Sequence, residues 1–347
     1  MPRRNFIDYL TITAKGLAMG AADAVPGVSG GTIAFISGIY EELIFTISNV
    51  NLSLLKTLKE KGLSSFWKQL NGNFIIALLS GILISFVSFM KLAKYLIENH
   101  PIFIWSFFFG LIIASILYIG KQIKTWNFKI ILALILGGLV AYYITSIPPL
   151  ANNDNPYFLF IAGAIAICAM ILPGISGSFI LLILGAYKIL SDAIHDYNFR
   201  NLFIFIGGAT VGLLSFSKVL KWLFKHYENT TLAVLTGFII GSLNVIWPWK
   251  QTITVFSKEI GKEIPFNTIT DLGSLSIFQI KIQNFESYKV MLEKSISPYT
   301  YSTINNGIDS QLLLAIVFMI LGFSTILLLE KTANKRKIFS LNISLVS

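Results

Sequence analysis

Only one cysteine occurs in the 347 residues, Cys168, and it lies in an apolar run. No intrachain disulfide can form, and no thiol-based or cysteine–metal site is expected. Histidine is nearly as scarce: His100, His195 and His226 are scattered near expected helix ends, so they read as interfacial residues, and neither a metal nor a cofactor is expected. Charge is low as well. Asp, Glu, Lys and Arg make up 13% of the chain against about a quarter in a soluble domain, while hydrophobic residues reach 54% and mean hydropathy is +0.72. These deficits exclude an ordinary soluble domain and read as an all-α polytopic membrane protein. Arg3, Arg4, Asp8 and Lys15 stand near the start with no clean apolar core and cleavage site after them, so no removable signal peptide is expected. The net charge of +10 reads as orientation and contact with membrane lipids rather than as nucleic-acid binding.

What is present is a set of long apolar segments. They run near 10–50, 73–97, 101–120, 129–147, 157–190, 201–225, 231–249 and 311–330. Six are unbroken and about 17 to 25 residues long, enough at 1.5 Å per residue to cross a hydrocarbon core of about 30 Å. The other two are broken in the same way, by PGVSGGT at 26–32 and by PGISGS at 173–178. Proline and glycine are the residues least suited to an uninterrupted helix, so the breaks are features to be explained.

The repeat extends beyond this phrase. At a spacing of 147, Gly16 matches Gly163, Pro26 matches Pro173, Ser29 matches Ser176, Gly38 matches Gly185 and Tyr40 matches Tyr187. At a spacing of 127, Gly81 matches Gly208, Ser88 matches Ser215, Lys91 matches Lys218, Lys94 matches Lys221 and Gly110 matches Gly237. The sequence therefore divides into a first repeat, 1–150, and a second, 151–347. Each is a broken segment followed by three spanning helices, and the second carries an insertion at 251–310. Rich in Asn, Ser and Thr with balanced charges, that insertion is expected to be a water-exposed loop or small subdomain.

Basic residues then set the orientation. Arg3, Arg4 and Lys15 precede the first broken segment, and Lys56, Lys59, Lys61 and Lys68 follow it. With both flanks cytoplasmic, that segment is a re-entrant hairpin, and the remaining loops obey the positive-inside rule: Lys121, Lys124 and Lys129 inside, SIPPLANNDNP outside, Lys225 inside, the insertion outside, and Lys331, Lys335, Arg336 and Lys337 inside. Three crossings per half is an odd number, so the two repeats are expected to be inverted, with both termini cytoplasmic.

Each arm of a broken segment is about 15 residues, roughly 22 Å, which reaches the middle of a bilayer but does not cross it. Irregular backbone at that depth must be buried in protein or line a cavity. A proline at the start of the second arm lacks an N–H where one would be unpaired, and the free N–H groups beside it carry the positive end of the helix dipole. Two such turns meeting at the midplane would form an anion site of the kind found in inverted-repeat transporters.

The stretch MGAADAVPGVSGGTIAFISGIYEELI, followed by ILPGISGSFILLILGAY, resembles the polyprenyl-phosphate transporter family over nearly the whole chain outside the insertion. That resemblance implies a flippase returning undecaprenyl phosphate or a similar polyprenyl phosphate across the bacterial plasma membrane, in support of cell-wall biogenesis. It makes the turns the expected substrate site: Pro26, Gly27, Ser29, Gly30, Gly31 and Thr32 in the first, Pro173, Gly174, Ser176, Gly177 and Ser178 in the second. Lys91 with Lys94, and Lys218 with Lys221, recur at i, i+3 in both halves, as phosphate ligands or as side chains snorkelling to the interface. Asp23, which Met170 replaces in the second copy, is a candidate for proton or cation coupling or a capping acid, with Glu41 and Glu42 as rivals. Two other classes stand beside this reading. Undecaprenyl-diphosphate phosphatases carry a similar PGxSRSxxT signature, but their arginine position is Gly30 here and Gly177 in the second copy, so no enzyme is expected. An organic-anion channel is the other. The sequence leaves the oligomeric state open, a homo-oligomer included.

Overall fold

The computed structural model describes residues 4–23, 29–147, 155–257, 262–266, 288–305 and 309–328. The chain forms two compact units, Met1–Ala93 with Gly120–Ser242, and Lys94–Ile119 with Leu243–Ser347.

The first unit opens with α1 (Phe6–Asp23), α2 (Gly30–Ile36), α3 (Tyr40–Ser48), α4 (Leu52–Leu70) and the start of α5 (Gly72–Asn99). It resumes with α7 (Phe128–Ser146), α8 (Pro156–Ile171), α9 (Gly177–Ile183), α10 (Tyr187–His195) and α11 (Phe199–Gly241). Asparagines start several of these helices: Asn51, Asn127, Asn155 and Asn198 each accept a backbone N–H from the first turn, which satisfies donors that have no partner within the helix.

The two broken segments repeat as local structure. α2 and α9, and likewise α3 and α10, stand 147 residues apart with identical lengths. The sequence predicts two arms per segment, but the second arm is itself broken. Gly38 has φ +73° and Gly185 φ +69°, a left-handed conformation that favours glycine, and α2 and α3 are bent by 115°. The next amide closes the turn in both copies, Ile39 N to Ala34 O at 3.0 Å and Ala186 N to Leu181 O at 2.9 Å.

Glycines also set how the helices pack. A Cβ on Gly81 would collide with Thr13 O of α1, and one on Gly208 with Phe160 O of α8. These contacts are equivalent at spacings of 147 and 127, so α1 packs on α5 as α8 packs on α11. In the first unit α7 lies against the end of α11, where a Cβ on Gly137 would sit 2.6 Å from Val234 O and one on Gly237 would overlap Leu134 O.

The second unit contains α6 (Pro101–Gly120), β1 (Lys250–Ser257), β2 (Lys262–Pro265), β3 (Tyr288–Ser295), α12 (Pro298–Ile304) and α13 (Leu312–Leu328). Here a Cβ on Gly110 would overlap Met319 O and one on Gly322 would overlap Phe107 O. Gly110 and Phe107 match Gly237 and Val234 at 127; Met319 and Gly322 match Leu134 and Gly137 at 185. α6 therefore packs on α13 as the end of α11 packs on α7: the second helix after each broken segment lies against the third helix after the other. Within the insertion the described residues form an antiparallel sheet in the order β2-β1-β3, followed by α12. Trp249 is buried with Ile102 and Ala315, and its Nε1 donates to Ser310 O at 2.9 Å.

Among the described residues, three helices are long and apolar enough to cross a membrane, Pro101–Gly120, Phe128–Ser146 and Phe199–Gly241, and shorter apolar helices accompany them. The chain is thus a mainly helical multi-pass membrane protein. Two expected boundaries change. The spans predicted at 201–225 and 231–249 are the two arms of α11, separated by a break at Tyr227 (φ −139°, ψ 48°), and the second ends at Gly241 rather than at 249. The polar side chains beside the break find partners: Thr231 Oγ1 donates to Tyr227 O, and Asn229 accepts from Lys124 N and donates to Thr125. The lysine-rich segment after the first hairpin, read as a loop, is the helical hairpin α4.

Candidate functional site

The two turns meet in the first unit. Thr32 Oγ1 accepts the N–H of Gly174 at 2.9 Å, and Ser29 Oγ donates to Met170 O at 3.4 Å. Both side chains are buried, Ser29 to 3% and Thr32 to 1% exposure. The glycines allow this approach: a Cβ on Gly31 would stand 2.9 Å from Ile171 O, and one on Gly174 would stand 2.9 Å from Phe238 O. Pro173 and Gly177 are buried and Ser176 is half-buried in the same region. Pro26 and Gly27 lie outside the described residues, as does the side chain of Ser178.

One expectation about the turns is corrected. The N–H groups opening the second arm of the first hairpin are not free. Asp23 Oδ1 accepts from Gly30 N at 2.6 Å, and Ser29 Oγ accepts from Gly31 N at 3.2 Å. A carboxylate on a backbone N–H is a charge-assisted bond, among the stronger kinds. The first turn thus carries its own anion. In the second copy Met170 stands in that place, with its Cβ beside Gly177.

The other acids sit on α3. Glu42 is clamped by Arg4 through two bonds of 2.7 and 2.5 Å and accepts a third from Asn71 Nδ2 at 2.9 Å. Glu41 is exposed and, with Tyr40, Asn49, Asn71 and Gln122, helps to line a cavity of about 520 Å³. The fully buried Tyr40 hydroxyl in its wall has no hydrogen-bond partner among the described residues.

The lysines separate. Lys221 is half-buried, donates to Asn49 Oδ1 at 3.1 Å and lies 5.4 Å over the Phe45 ring, which ties α11 to the first hairpin and to residues of the cavity wall. Lys218 is exposed. Lys91 and Lys94 belong to α5, and their side chains lie outside the described ones. The structure therefore joins Ser29, Thr32 and Gly174 at the turns and brings Lys221 to the α3 arm, while Lys218 joins neither group. Arg4, Asn49 and Asn71 carry no motif. Of these only Asn71 had a local signal, since Asn71-Gly72 is a turn dipeptide and Asn71 adopts φ +58°. Among the described residues, no group of three His, Cys, Asp or Glu side chains forms a metal-holding cluster.

The sequence matches the VCA0040-like family, described as undecaprenyl phosphate translocase-like, over residues 19–264. It is also 43% identical over 329 residues to the polyprenyl-phosphate transporter of Vibrio cholerae serotype O1, an alignment covering 95% of this chain and 98% of that one. The chain belongs to the polyprenyl-phosphate transporter family. A second member, the polyprenyl-phosphate transporter of Staphylococcus aureus, is 33% identical over 260 residues, 69% of this chain and 86% of that protein. Both relatives are named as transporters and not as enzymes, in agreement with the glycines at the arginine position of the phosphatase signature. The Vibrio relative aligns through nearly all of its length, so it spans the insertion as well. No solved structure matches the chain.

Proposed function

We propose that this protein is a flippase that returns undecaprenyl phosphate, or a similar polyprenyl phosphate, to the cytoplasmic leaflet of the bacterial plasma membrane by alternating access. The meeting of the two PGxSG turns carries this reading, because it gathers buried hydroxyls and close backbone from both repeats at one place, where a phosphate can be held between them. Ser29, Thr32, Gly30 and Gly31 act from the first turn, and Gly174, Ser176 and Gly177 from the second.

Asp23 couples the cycle to protons. Its carboxylate accepts the Gly30 N–H, and protonation weakens that bond and removes the negative charge a phosphate would meet. The repeats are inverted across the membrane, both termini are cytoplasmic and the insertion is extracytoplasmic. The exchange of third helices between the halves supports this arrangement, since each half is then incomplete without the other.

The function is tested in proteoliposomes with a short-chain polyprenyl phosphate supplied in the outer leaflet. Its transfer should be protein-dependent and should change with an imposed pH gradient; transfer no faster than in protein-free vesicles would remove the proposal. The topology is tested separately. Single cysteines near Lys59 and near Asn153, in a Cys168→Ser background, should react with an impermeant thiol reagent in intact cells only at the second site. Labelling near Lys59 from outside would end the inversion.

A further inference from the structure

The α4 hairpin lies apart from the turns and meets the cavity only through Asn71, the residue that closes its second arm, yet its outer surface is distinctive. Gly62, at φ +74° and ψ 179°, breaks the helix into two arms. The arms are tied together on their inner side, where Thr57 Oγ1 donates to Gln69 Oε1 at 2.6 Å and Gln69 Nε2 donates to Ser53 Oγ at 3.4 Å. Its end is fixed too. Asn71 closes the second arm and bonds both Glu42 and Thr46 of α3, and Trp67 Nε1 donates to Asn73 Oδ1 at 2.7 Å at the start of α5. This is a built element and not a slack connection.

Its outer surface combines two kinds of group that rarely share one. Leu63 at the tip is 70% exposed and Leu55 on the first arm 56%, with Leu58 and Trp67 also exposed. Among them stand Lys56, Lys59, Lys61 and Lys68 against one acid, Glu60. Lys56 reaches Glu60 only at 3.6 Å with both side chains largely in solvent, an exposed i, i+4 pair that offsets little of the charge. Leu55 and Leu58, at i, i+3, share a stripe flanked by Lys56 and Lys59. The apolar stretch Gly72–Ser85 of α5 begins directly after the hairpin, so a bilayer surface lies next to it.

We propose that the α4 hairpin is a docking surface for the anionic headgroups of the adjacent leaflet, with Leu55, Leu58 and Leu63 entering the headgroup–acyl boundary and Lys56, Lys59 and Lys61 binding the headgroup charges. Charge complementarity selects this occupant: an apolar partner surface would leave the lysines unmatched, whereas an anionic lipid surface satisfies both sets of groups. Trp67, at the junction with the apolar stretch, has the position that amphipathic rings favour at a membrane interface. The inference does not depend on what the protein transports.

The test uses the full chain as a Ser64→Cys variant in the Cys168→Ser background, labelled with an environment-sensitive fluorophore. The labelled protein is placed in nanodiscs of phosphatidylcholine alone or with phosphatidylglycerol, each with a lipid-borne doxyl quencher. Quenching should be stronger in the anionic discs and should fall as salt is raised. Lys56→Gln, Lys59→Gln and Lys61→Gln should each lower the docking equilibrium roughly fivefold in anionic discs. All three side chains are exposed, so the folded protein should keep its thermal unfolding temperature. Equal quenching in the two lipids, or quenching indifferent to the three substitutions, would overturn the proposal. So would a signal that depends on a second labelled copy in the same disc, which would make the hairpin an interface between protomers.

Discussion

Gly208→Ala should strip the protein of most of its stability, while Gly207→Ala, one residue away on the same helix, should be tolerated or mildly stabilising. A Cβ at Gly208 would stand 2.7 Å from the carbonyl carbon of Phe160 and nearer still to its oxygen. Those atoms are the backbone of α8, so no side chain can rotate out of the way. α8 would have to withdraw, and with it the Met170 carbonyl that meets Ser29. Overpacking a close-packed interior costs about 1–3 kcal/mol where side chains can adjust, and a helix-on-helix backbone contact belongs at or beyond the top of that range. At Gly207 the nearest atom is Phe160 Cε2 at 3.6 Å, an ordinary van der Waals distance to a movable ring. There alanine collects its helix-propensity advantage of up to about 1 kcal/mol. Thermal unfolding in detergent, with the fraction of monodisperse protein, reads both variants. Gly81→Ala, the equivalent of Gly208 in the first half, should behave like Gly208→Ala. Equal unfolding temperatures for the 207 and 208 variants would show that the close approach of α8 and α11 is not required.

The same glycines explain what was legible in the sequence. The PGxSG turns and the matches at spacings of 147 and 127 could be read because proline and glycine are confined by backbone geometry, and so keep their positions when the surrounding apolar residues do not. The exchange of third helices was not readable. Its marks are two matches at a spacing of 185, Leu134 with Met319 and Gly137 with Gly322, hidden behind an insertion and of different residue type in one case. The second bend at Gly38 and Gly185 was present as a match, but a single glycine in an apolar run gives no sign whether it turns the chain or only lets a neighbour approach. α4 was hidden by its composition, because lysine, serine and glycine are equally at home in a solvated loop. Side-chain pairings across the fold, Arg4 with Glu42 at a separation of 38 and Lys221 with Asn49 at 172, have no local signature. The cap of Asp23 on Gly30 sits between these cases: its residue type favoured capping, but the seven-residue reach around the turn did not follow from spacing.

Lys221→Gln should weaken the apparent affinity for polyprenyl phosphate roughly tenfold or more, whereas Lys218→Gln should change it by less than about twofold, so that the two lysines of one motif part company. The motive is their placement. Lys221 is half-buried, bonded to Asn49 and set over the Phe45 ring beside the cavity, while Lys218 is exposed. A hydrogen bond to a charged partner is worth about 1.5–3 kcal/mol, which is a factor of roughly ten to a hundred and fifty in affinity. Lysine suits a ligand that must leave again, because its ammonium is a movable point charge without the fixed fork of arginine. In the proposed inverted arrangement, Lys94 is the counterpart of Lys221, so its glutamine variant should slow uptake from the outer leaflet as Lys221→Gln slows delivery on the inner side. The competing account is mechanical: Lys221 only fastens α11 to α3. Glutamine at 221 retains a donor for Asn49 but has no charge, and arginine retains the charge. On the mechanical account Lys221→Gln shifts the unfolding temperature and leaves both the affinity and its salt dependence as they were. On the binding account Lys221→Arg restores much of the affinity, and the salt dependence that glutamine removes returns with it. Affinity unchanged in Lys221→Gln, measured on protein normalised for folded amount, would reduce this lysine to a strut.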